Sequence, residues 1–546
     1  MDAWDVVVIG GTVAGMRAAI AAHDAGASVA LFDGHAHGSD AGAADTGGLA
    51  ISMGEATSTA HRDDTIRAGR WLSDQDVAAA RTSAAFEELA LLERWGLVLR
   101  RGGASLPLLQ QLPGHSVSRV ASTGDSTGRE LHQLLEEQCI KRGIPRRVDM
   151  QAVSLAMQDA SACGAVFFDV QEGELVGVQA KTVILASDGF QSAWNGDGVG
   201  DGTGAWLALG ADISLRDMEF SACNPLNVET VDLSLPLTLI DDGAKVRLAS
   251  GGDVEFEADS GLDAASQQIL SGGELCVLDA RVLKRTSRKW YSDTAERVQS
   301  RCGLALDADV LPLSPRVELT IGGVPTDCTG RVTSGGEPVE GLFAAGGCCN
   351  SGFHGADIVA GNHLLDSLVG GAAAGDAAAS ASTSASFGFG SPEAVTAELS
   401  TAGEKVAHLL HGADEGALTR AAGAFQLASL MSDAMGFERD AATLEAAAVR
   451  ISEISTAGLQ LSDANPVMNT ELVEVLRLEG LLKLSAAAVA SALHRAESRG
   501  SHQRSDHPER DDAGHLQHTL VDSSGNVSDS PVNQGSGDDW LLAPPE

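Results

Sequence analysis

Short apolar runs that end in glycines recur along the chain and predict a parallel β-sheet. The first run, 5–9, leads through a glycine-rich turn into an alanine-rich stretch from Met16 to Ala25 that predicts a helix. Two further runs, 182–186 and 341–345, also end in glycine-containing turns. Strands buried in parallel sheets are apolar throughout, and their carboxyl ends face the ligand in open α/β folds. The chain is therefore predicted to be α/β, with a βαβ unit at its start.

The pattern of charged and apolar positions changes after residue 225. The next segment is richer in charge and in alternating positions, which predicts an inserted domain. Later segments are rich in Ala, Ser and Gly, then helical in pattern, and finally polar, which predicts a linker, a helical domain and a loosely held tail. The predicted nucleotide-binding domain has two parts, 1–225 and 312–375, and the inserted domain, 226–311, lies between them. A linker at 376–394, a helical domain at 395–512 and a tail at 513–546 are predicted to follow.

The net charge of the chain limits the classes of molecule that it is expected to bind. The 546 residues include 37 Lys and Arg against 75 Asp and Glu, a formal net charge of −38. Such a surface repels nucleic acid and anionic membranes, so neither is an expected partner. Because salt screens self-repulsion, a halophilic cytoplasm is one interpretation, and an ordinary acidic soluble protein is the other. No run approaches the roughly 18 apolar residues of a membrane span, so we expect no direct membrane insertion and no signal peptide.

The eight cysteines are scattered and form no C-x-x-C pair. Zinc and iron–sulfur sites usually need closely paired ligands, so the sequence predicts no metal site in this chain. Reduced, structural thiols are the expectation.

The first glycine-rich turn carries the clearest chemistry. Gly10 and Gly15 occupy the outer positions of a G-x-G-x-x-G pattern, and Thr12 replaces the middle glycine. Backbone N–H groups in such a turn approach a pyrophosphate, and the helix N-terminus adds positive potential. Asp33 ends the second strand, where an acidic residue binds a ribose hydroxyl. The turn predicts a dinucleotide site, although a plain βα turn remains an alternative.

Further blocks follow in an order that resembles the succinate dehydrogenase and fumarate reductase flavoproteins, whose superfamily includes L-aspartate oxidase. The long C-terminal block, which ends in Arg-Asp-Asp, favours the dehydrogenase and reductase branch. The blocks that carry the resemblance are Thr46–Leu49, Ser126–Leu131, Ala186–Gly189, Gly200–Gly204, Asp217–Phe220, Ile321–Thr326, Gly341–Gly346, His354–Asp357, Gly361–Asp366 and Glu497–Asp512.

The resemblance implies a Rossmann-like FAD-binding domain with an inserted α+β capping domain and a C-terminal helical domain. It also implies an FAD-dependent oxidoreductase. One set of residues would contact the pyrophosphate and ribose of FAD, and another set would contact its isoalloxazine ring and ribityl chain. The implied cofactor-binding residues are Gly10, Thr12, Val13, Ala14, Gly15, Asp33, Gly47, Gly48, Leu49, Ala186, Ser187, Gly189, Asp201, Gly346, Asn362, Leu364 and Leu365.

Two departures bear on the cofactor. The family's respiratory members attach FAD to a His, but residues 39–43, which match that loop, contain none, so non-covalent FAD is predicted. His35 and His37 lie upstream as candidates for a shifted attachment. The family's ribityl-binding Glu is Gly347 here, which removes one contact.

The substrate positions depart further. The resemblance implies two His and two Arg that clamp a dicarboxylate and move a proton, and the matching residues are Asn224, Leu262, Glu318 and Ile358. His354 is then the best acid or base, because imidazole titrates near neutrality, and a purely structural role is its alternative. The predicted catalytic set is His354, Glu318 and Asn224.

Three functions stay open on these residues. The first is hydride exchange between flavin N5 and a small organic acid, the second an FAD oxidoreductase of a non-dicarboxylate, and the third an inactive structural or assembly paralogue. The resemblance implies a small-molecule substrate and an iron–sulfur electron-transfer subunit as partners. It also implies a cytoplasmic location, either free or on the inner face of the membrane through partner subunits.

Overall fold

The structure is a computed structural model. It describes residues 2–35, 47–196, 200–229, 231, 233–257, 260–387, 391–412, 416–535 and 539–545. Residues 39–43 and His37 lie outside the described residues.

The first part of the chain forms the central sheet and its flanking helices. Its strands are β1 (Asp2–Ile9), β2 (Val29–Phe32), β3 (Leu49–Ala50), β4 (Leu109–Gln110), β5 (Val120–Ala121), β6 (Arg146–Arg147), β7 (Met150–Gln158), β8 (Ser161–Asp169), β9 (Glu174–Leu185), β10 (Leu215–Arg216) and β11 (Ser221–Asn224). Its helices are α1 (Val13–Asp24), α2 (Glu55–Ala68), α3 (Gln75–Trp95), α4 (Thr127–Arg142), α5 (Ser192–Asn195) and α6 (Thr203–Gly210).

The middle part combines short helices and loops with a small sheet of its own. Its elements are α7 (Thr238–Asp241), β12 (Lys245–Leu248), α8 (Leu262–Ser271), β13 (Cys276–Asp279), α9 (Arg285–Arg288), α10 (Ser292–Cys302) and β14 (Leu311–Pro312). The strands β12, β13 and β14 pair antiparallel and do not enter the central sheet. The predicted alternation of 226–311 is therefore confined to three short strands, and helices and loops make up the rest.

The chain then returns to the central sheet and ends in a helical part. The returning elements are β15 (Arg316–Thr320), β16 (Val324–Pro325), β17 (Arg331–Ser334), β18 (Glu337–Ala344), β19 (Cys349–Asn350) and α11 (Asn362–Ser384). The last elements are α12 (Ser391–Leu410), β20 (Leu418–Thr419), α13 (Arg420–Ala434), α14 (Ala441–Ala457), β21 (Leu459–Gln460), α15 (Thr470–His494), α16 (Asp512–His515), β22 (Gln517–Val521) and β23 (Val527–Pro531).

The central sheet has the strand order β17-β18-β9-β1-β2-β6, and the β7–β8 hairpin joins it at β9. Strands β18, β9, β1, β2 and β6 run parallel, so their carboxyl ends share one edge. Both faces are buried, as the apolar runs predicted: Val7 and Ile9 pack in one core cluster and Val6 and Val8 in another. The α/β prediction is confirmed.

Helix α1 begins earlier than predicted because Thr12 caps it. The Thr12 backbone is extended, and its hydroxyl accepts a hydrogen bond from the Gly15 N–H, so the helix starts at Val13 instead of Met16. The helix packs closely on α11. A β-carbon at Gly375 would lie 2.2 Å from the Ala18 carbonyl oxygen, so this crossing needs glycine.

Two predictions about the later chain are wrong. The predicted linker 376–394 is largely helical, because α11 continues to Ser384 and α12 starts at Ser391. Alanine has the highest helix propensity, and here it outweighs the flexibility that Ser and Gly suggest. The tail 513–546 is not loosely held: β22 pairs with β10 and β23, and His518 in β22 is fully buried. In the described part of the chain, no helix is long and apolar enough to cross a membrane.

Candidate functional site

The β1–α1 turn brings its predicted residues against the carboxyl end of β9. Gly10 has φ +116°, and a β-carbon there would lie 2.4 Å from the Ala186 carbonyl oxygen. Thr12 donates its hydroxyl hydrogen to that same oxygen at 2.7 Å while it caps α1. The side chain at the middle position therefore ties the turn to β9. The turn keeps its tight shape without the middle glycine.

The loops after β9 and β18 close on the other side of this turn. Ser187 accepts a hydrogen bond from the Gly204 N–H at 2.8 Å, and Gly346 has φ +76° with its α-hydrogen aimed at Ala14. A β-carbon at Gly347 would lie 2.7 Å from the backbone nitrogen of Gly189. The resemblance places a glutamate at Gly347, and the structure leaves no space for a side chain at this position.

Asp33 and Asp201 lie on either side of His35. Asp33 accepts from the His35 N–H at 3.0 Å and from Arg146 Nη2 at 3.2 Å. Asp201 Oδ2 lies 3.4 Å from His35 Nε2 and 2.9 Å from Arg477 Nε. Burial alone would raise the Asp201 pKa, but the charges of His35 and Arg477 lower it, so the group is ionised. The two predicted acids therefore share one polar end of the site.

The other predicted cofactor residues meet where β3 approaches the start of α11. Gly48 has φ +86°, and a β-carbon at Gly361 would lie 2.8 Å from the Ala50 nitrogen. At the start of α11, Asn362 Oδ1 is 2.7 Å from His61 Nε2, while Leu364 and Leu365 are buried. Gly47 and Leu49 flank Gly48 in the chain, and Leu49 is buried at the start of β3.

The four substrate positions converge in pairs. The Leu262 N–H donates to the Ile358 carbonyl oxygen at 2.8 Å, and both side chains are buried in one apolar cluster. Asn224 Nδ2 donates to Glu318 Oε2 at 3.1 Å across the β11–β15 pair, and Asn224 Oδ1 accepts from the Leu226 N–H. No cation stands at any of the four positions. Both ends of the Asn224 amide are engaged, which suits a structural role better than the predicted catalytic one.

His354 lies away from that pair, near the end of α2. Its Nε2 is 3.7 Å from Asp366 Oδ2, and its Nδ1 is buried with no hydrogen-bond partner in the described part of the chain. Burial lowers the His354 pKa, with Arg81 adding to the effect and Asp366 opposing it. The imidazole is therefore neutral at pH 7 and able to accept a proton.

A buried polar cluster on α2 and β5 was not found from the sequence. Arg119 Nη1 donates to Asp64 Oδ2 at 2.7 Å and lies 2.9 Å from His115 Nδ1. Its Nε and Nη2 are buried without partners among the described residues. Burial and the Arg119 charge lower the pKa of His61 and of His115 to about 3, so both are neutral. An isolated Arg in a polar stretch gives no sequence signal of such burial.

Arg119 is also close to the predicted cofactor loop. It directly precedes β5, which pairs with β3, and its carbonyl oxygen accepts from the Ile51 N–H. Two arginines of the middle part have different surroundings: Arg281 is exposed and pairs with Asp279, and Arg285 is exposed on α9. Arg119 is thus a buried cation that borders the candidate site.

Comparisons with known proteins agree with this geometry. The profile of the family described as FAD binding domain matches residues 5–364, and that of the fumarate reductase flavoprotein C-terminal family matches residues 425–536. The chain belongs to the FAD-binding family of succinate dehydrogenase and fumarate reductase flavoproteins. Members of this family are FAD-dependent oxidoreductases, so the predicted cofactor and enzyme class are confirmed.

Relatives resemble the chain over nearly its whole length. The fumarate reductase flavoprotein subunit of Haemophilus influenzae is 27% identical, covering 95% of this chain and 91% of the relative. The succinate dehydrogenase flavoprotein subunit of Rickettsia felis is 27% identical over 96% and 94%. The fold of Escherichia coli quinol fumarate reductase matches with a TM-score of 0.92 at 24% identity, over 100% of this chain and 99% of that one. Adenylylsulfate reductase of Archaeoglobus fulgidus, at 16% identity, has a TM-score of 0.77, so this fold also serves other substrates.

The residues present fit FAD. The β1–α1 turn has the tight backbone of a dinucleotide-binding turn, because Gly10 packs so closely on Ala186 that a β-carbon would collide. Three buried polar atoms among the candidate residues and their neighbours lack hydrogen-bond partners in the described chain, namely Gln191 Oε1, Arg119 Nε and His354 Nδ1. Buried polar atoms normally have partners, so such atoms are expected where a polar group binds.

Proposed function

We propose that this enzyme exchanges hydride between FAD and a small organic acid that carries a single carboxylate. The observation that supports the proposal is the pairing of Leu262 with Ile358 in an apolar cluster, where the resemblance places a proton-moving arginine and an arginine that clamps a carboxylate. A buried carboxylate needs cationic or several hydrogen-bonding partners, and these two side chains supply none. Glu318 would repel it further.

Each residue then has a stated task. The β1–α1 turn, Ser187 and Gly346 would hold the FAD pyrophosphate, and Asp33 would hold a ribose hydroxyl. Bound FAD supplies the two-electron acceptor for the hydride. Arg119, with Nε and Nη2 unpaired in the described chain, would hold the substrate carboxylate, and neutral His354 would hold or move a proton at Nδ1.

The test is single-turnover bleaching of the flavin by a panel of mono- and dicarboxylic acids. We expect a monocarboxylate to bleach it faster than succinate does. Arg119→Gln should raise the KM for that acid by about tenfold or more, because a charge-assisted pair contributes about 1.5–3 kcal/mol. Arg119→Lys should recover part of the affinity, and Arg285→Gln, which removes an exposed arginine, should change nothing. Equal rates for succinate and the monocarboxylates would contradict the proposal.

FAD is proposed to be bound non-covalently, because residues 39–43 contain no His. Acid precipitation should leave the flavin in the supernatant. Fluorescent protein on a denaturing gel would contradict this.

The partner and the location are proposed from the relatives. The names of the relatives describe them as flavoprotein subunits, and an iron–sulfur subunit would serve as the electron partner of this chain. A peripheral position on the inner membrane face would follow from that assembly. Co-purification of iron with the tagged chain from its native cells tests both. The domain boundaries 1–225, 226–311, 312–375, 395–512 and 513–546 also stay a proposal, which limited proteolysis tests.

A further inference from the structure

A cavity of about 340 Å³ lies where the middle part of the chain meets the helical part. Its walls come from β11, β15, the start of α8, and the segment that follows α13. Ser221, Cys223 and Val317 line it on the strand side. Asn224 and Glu318 are not among its described lining residues, but their neighbours Cys223 and Val317 are, so the cavity lies beside that pair without including it.

Arg439 is the deepest charged group of this cavity. It is 1% exposed and donates only to neutral acceptors: the carbonyl oxygens of Gly436, Glu219 and Ser501, and Nδ1 of His502. In the described chain, no carboxylate lies within ion-pair distance of its guanidinium. Its Nη2 makes a single hydrogen bond and keeps one hydrogen to offer. A buried cation without a counter-ion is costly, and an anion from solution would relieve that cost.

Asp263 is the single acid among the described lining residues, and it compensates Arg439 weakly. Its Oδ2 accepts from Gln267 Nε2 at 2.8 Å, and it lies outside ion-pair distance of Arg439. Burial raises the Asp263 pKa to about 6, so the carboxyl carries its charge less readily than an exposed one. Burial likewise lowers the Arg439 pKa to about 10, which leaves the guanidinium charged at pH 7.

A second guanidinium stands at the edge of the cavity. Arg316 lines the cavity, is exposed to solvent, and forms no ion pair in the described chain. Trp194, Met435 and Phe437 supply apolar wall in the same cavity. Two arginines against one weak acid make a positive cavity in a chain whose net charge is −38, so the charges favour an anion with an apolar body.

We propose that this cavity binds a small organic monocarboxylate, with the carboxylate on Arg439 and Arg316 and the carbon chain against Trp194 and Phe437. The volume accommodates several non-hydrogen atoms, which is more than a halide needs. The site is separate from the proposed substrate site and does not depend on the proposed function.

The test uses the full-length, FAD-loaded protein and acetate as the probe, in fluoride buffer at fixed ionic strength. Broadening of the acetate methyl NMR signal reports binding even at millimolar affinity. We expect saturable broadening, weakened about tenfold by Arg439→Lys, because lysine lacks the planar fork, and about threefold by Arg316→Gln, which removes an exposed charge. Arg285→Gln is the matched control and should bind like the parent.

Asp263→Asn keeps the shape of the side chain, removes the acid, and should tighten acetate binding about threefold. It remains informative if Arg439→Lys fails to fold. No saturable binding, or equal loss in Arg316→Gln and Arg285→Gln, would overturn the proposal. Displacement of acetate by equal concentrations of chloride or phosphate would show a general anion site and overturn the monocarboxylate assignment.

Discussion

The turn at Gly10 and the pair formed by Leu262 and Ile358 belong to one fold but have diverged to different extents. The turn departs from its pattern at Thr12, and the hydroxyl there both caps α1 and binds the Ala186 carbonyl oxygen. At Leu262 and Ile358, apolar side chains stand where the family resemblance places arginines, and they pack into the core. Cofactor binding depends mainly on backbone shape, so one side chain can change within it. Substrate recognition depends on particular side chains, so we expect recognition of a dicarboxylate to weaken where they change.

The largest effect should come from breaking the turn. Gly10→Ala places a β-carbon 2.4 Å from the Ala186 carbonyl oxygen at φ +116°. Strained backbone conformations cost about 1–3 kcal/mol, so FAD affinity should fall about 100-fold, measured by fluorescence titration of free flavin. Gly26→Ala is the matched control, because φ is +94° there but no atom lies within 4 Å of the new β-carbon. Equal FAD affinity in the two variants would show that the turn does not bind the cofactor.

A smaller effect concerns the buried ion network that joins the tail to the nucleotide-binding half. His518 Nδ1 lies 2.6 Å from Asp217 Oδ2, and its Nε2 lies 3.2 Å from Asp74 Oδ1. Burial alone would lower the His518 pKa, but the two carboxylates raise it to about 9. The stabilisation by charged His518 is therefore complete below the unfolded pKa of about 6.5 and disappears as pH rises through about 9, a loss of about 3 kcal/mol.

Melting temperature measured from pH 6 to 9.5 tests this network. The parent should lose stability across that window, while His518→Gln should start lower and change less, because Asp217 and Asp74 then lack the one cation that titrates in this range and keep only the arginine partners Arg216 and Arg495. His494→Gln is the control, since His494 pairs with Asp529 at the surface. If the melting temperatures of the parent and of His518→Gln changed with pH in parallel, the claim that His518 is ionised in the folded protein would be refuted.

The smallest effect should come from salt. With a net charge of −38, self-repulsion weakens as the screening length falls from about 10 Å at 0.1 M to about 3 Å at 1 M. Melting temperature should rise by a few degrees with potassium chloride, while the His518 contribution persists because buried pairs are little screened. An unchanged melting temperature would remove the halophilic interpretation.

Local patterns predicted the fold well. The apolar runs 5–9 and 182–186 and the glycines that follow them located β1, β9 and the turn between β1 and α1, because each signal lies within a few residues. The predicted linker was wrong for a related reason. Alanine favours a helix and serine favours a loop, and the packing of α11 on α1 stabilises the helix.

The remaining parts of the site depend on contacts that sequence spacing does not show. Asp74 and His518 are 444 positions apart, so nothing local signals that a polar tail is held by a buried ion network. Arg119 lies in a loop and pairs with Asp64 on helix α2, and Arg439 faces a cavity lined by several segments that are far apart in the sequence. By contrast, Asn224, Leu262, Glu318 and Ile358 were found as departures from the family motifs, and the structure pairs them.

The most direct test of the separation between cofactor binding and substrate recognition is succinate-dependent bleaching of the FAD-loaded protein in high salt, with flavin content measured on the same sample. We expect nearly full flavin content and a succinate rate about 10²–10⁴-fold below an ordinary turnover of about 10 per second, because the proton-moving and clamping groups are replaced. Full flavin content with succinate turnover within tenfold of that value would contradict the account.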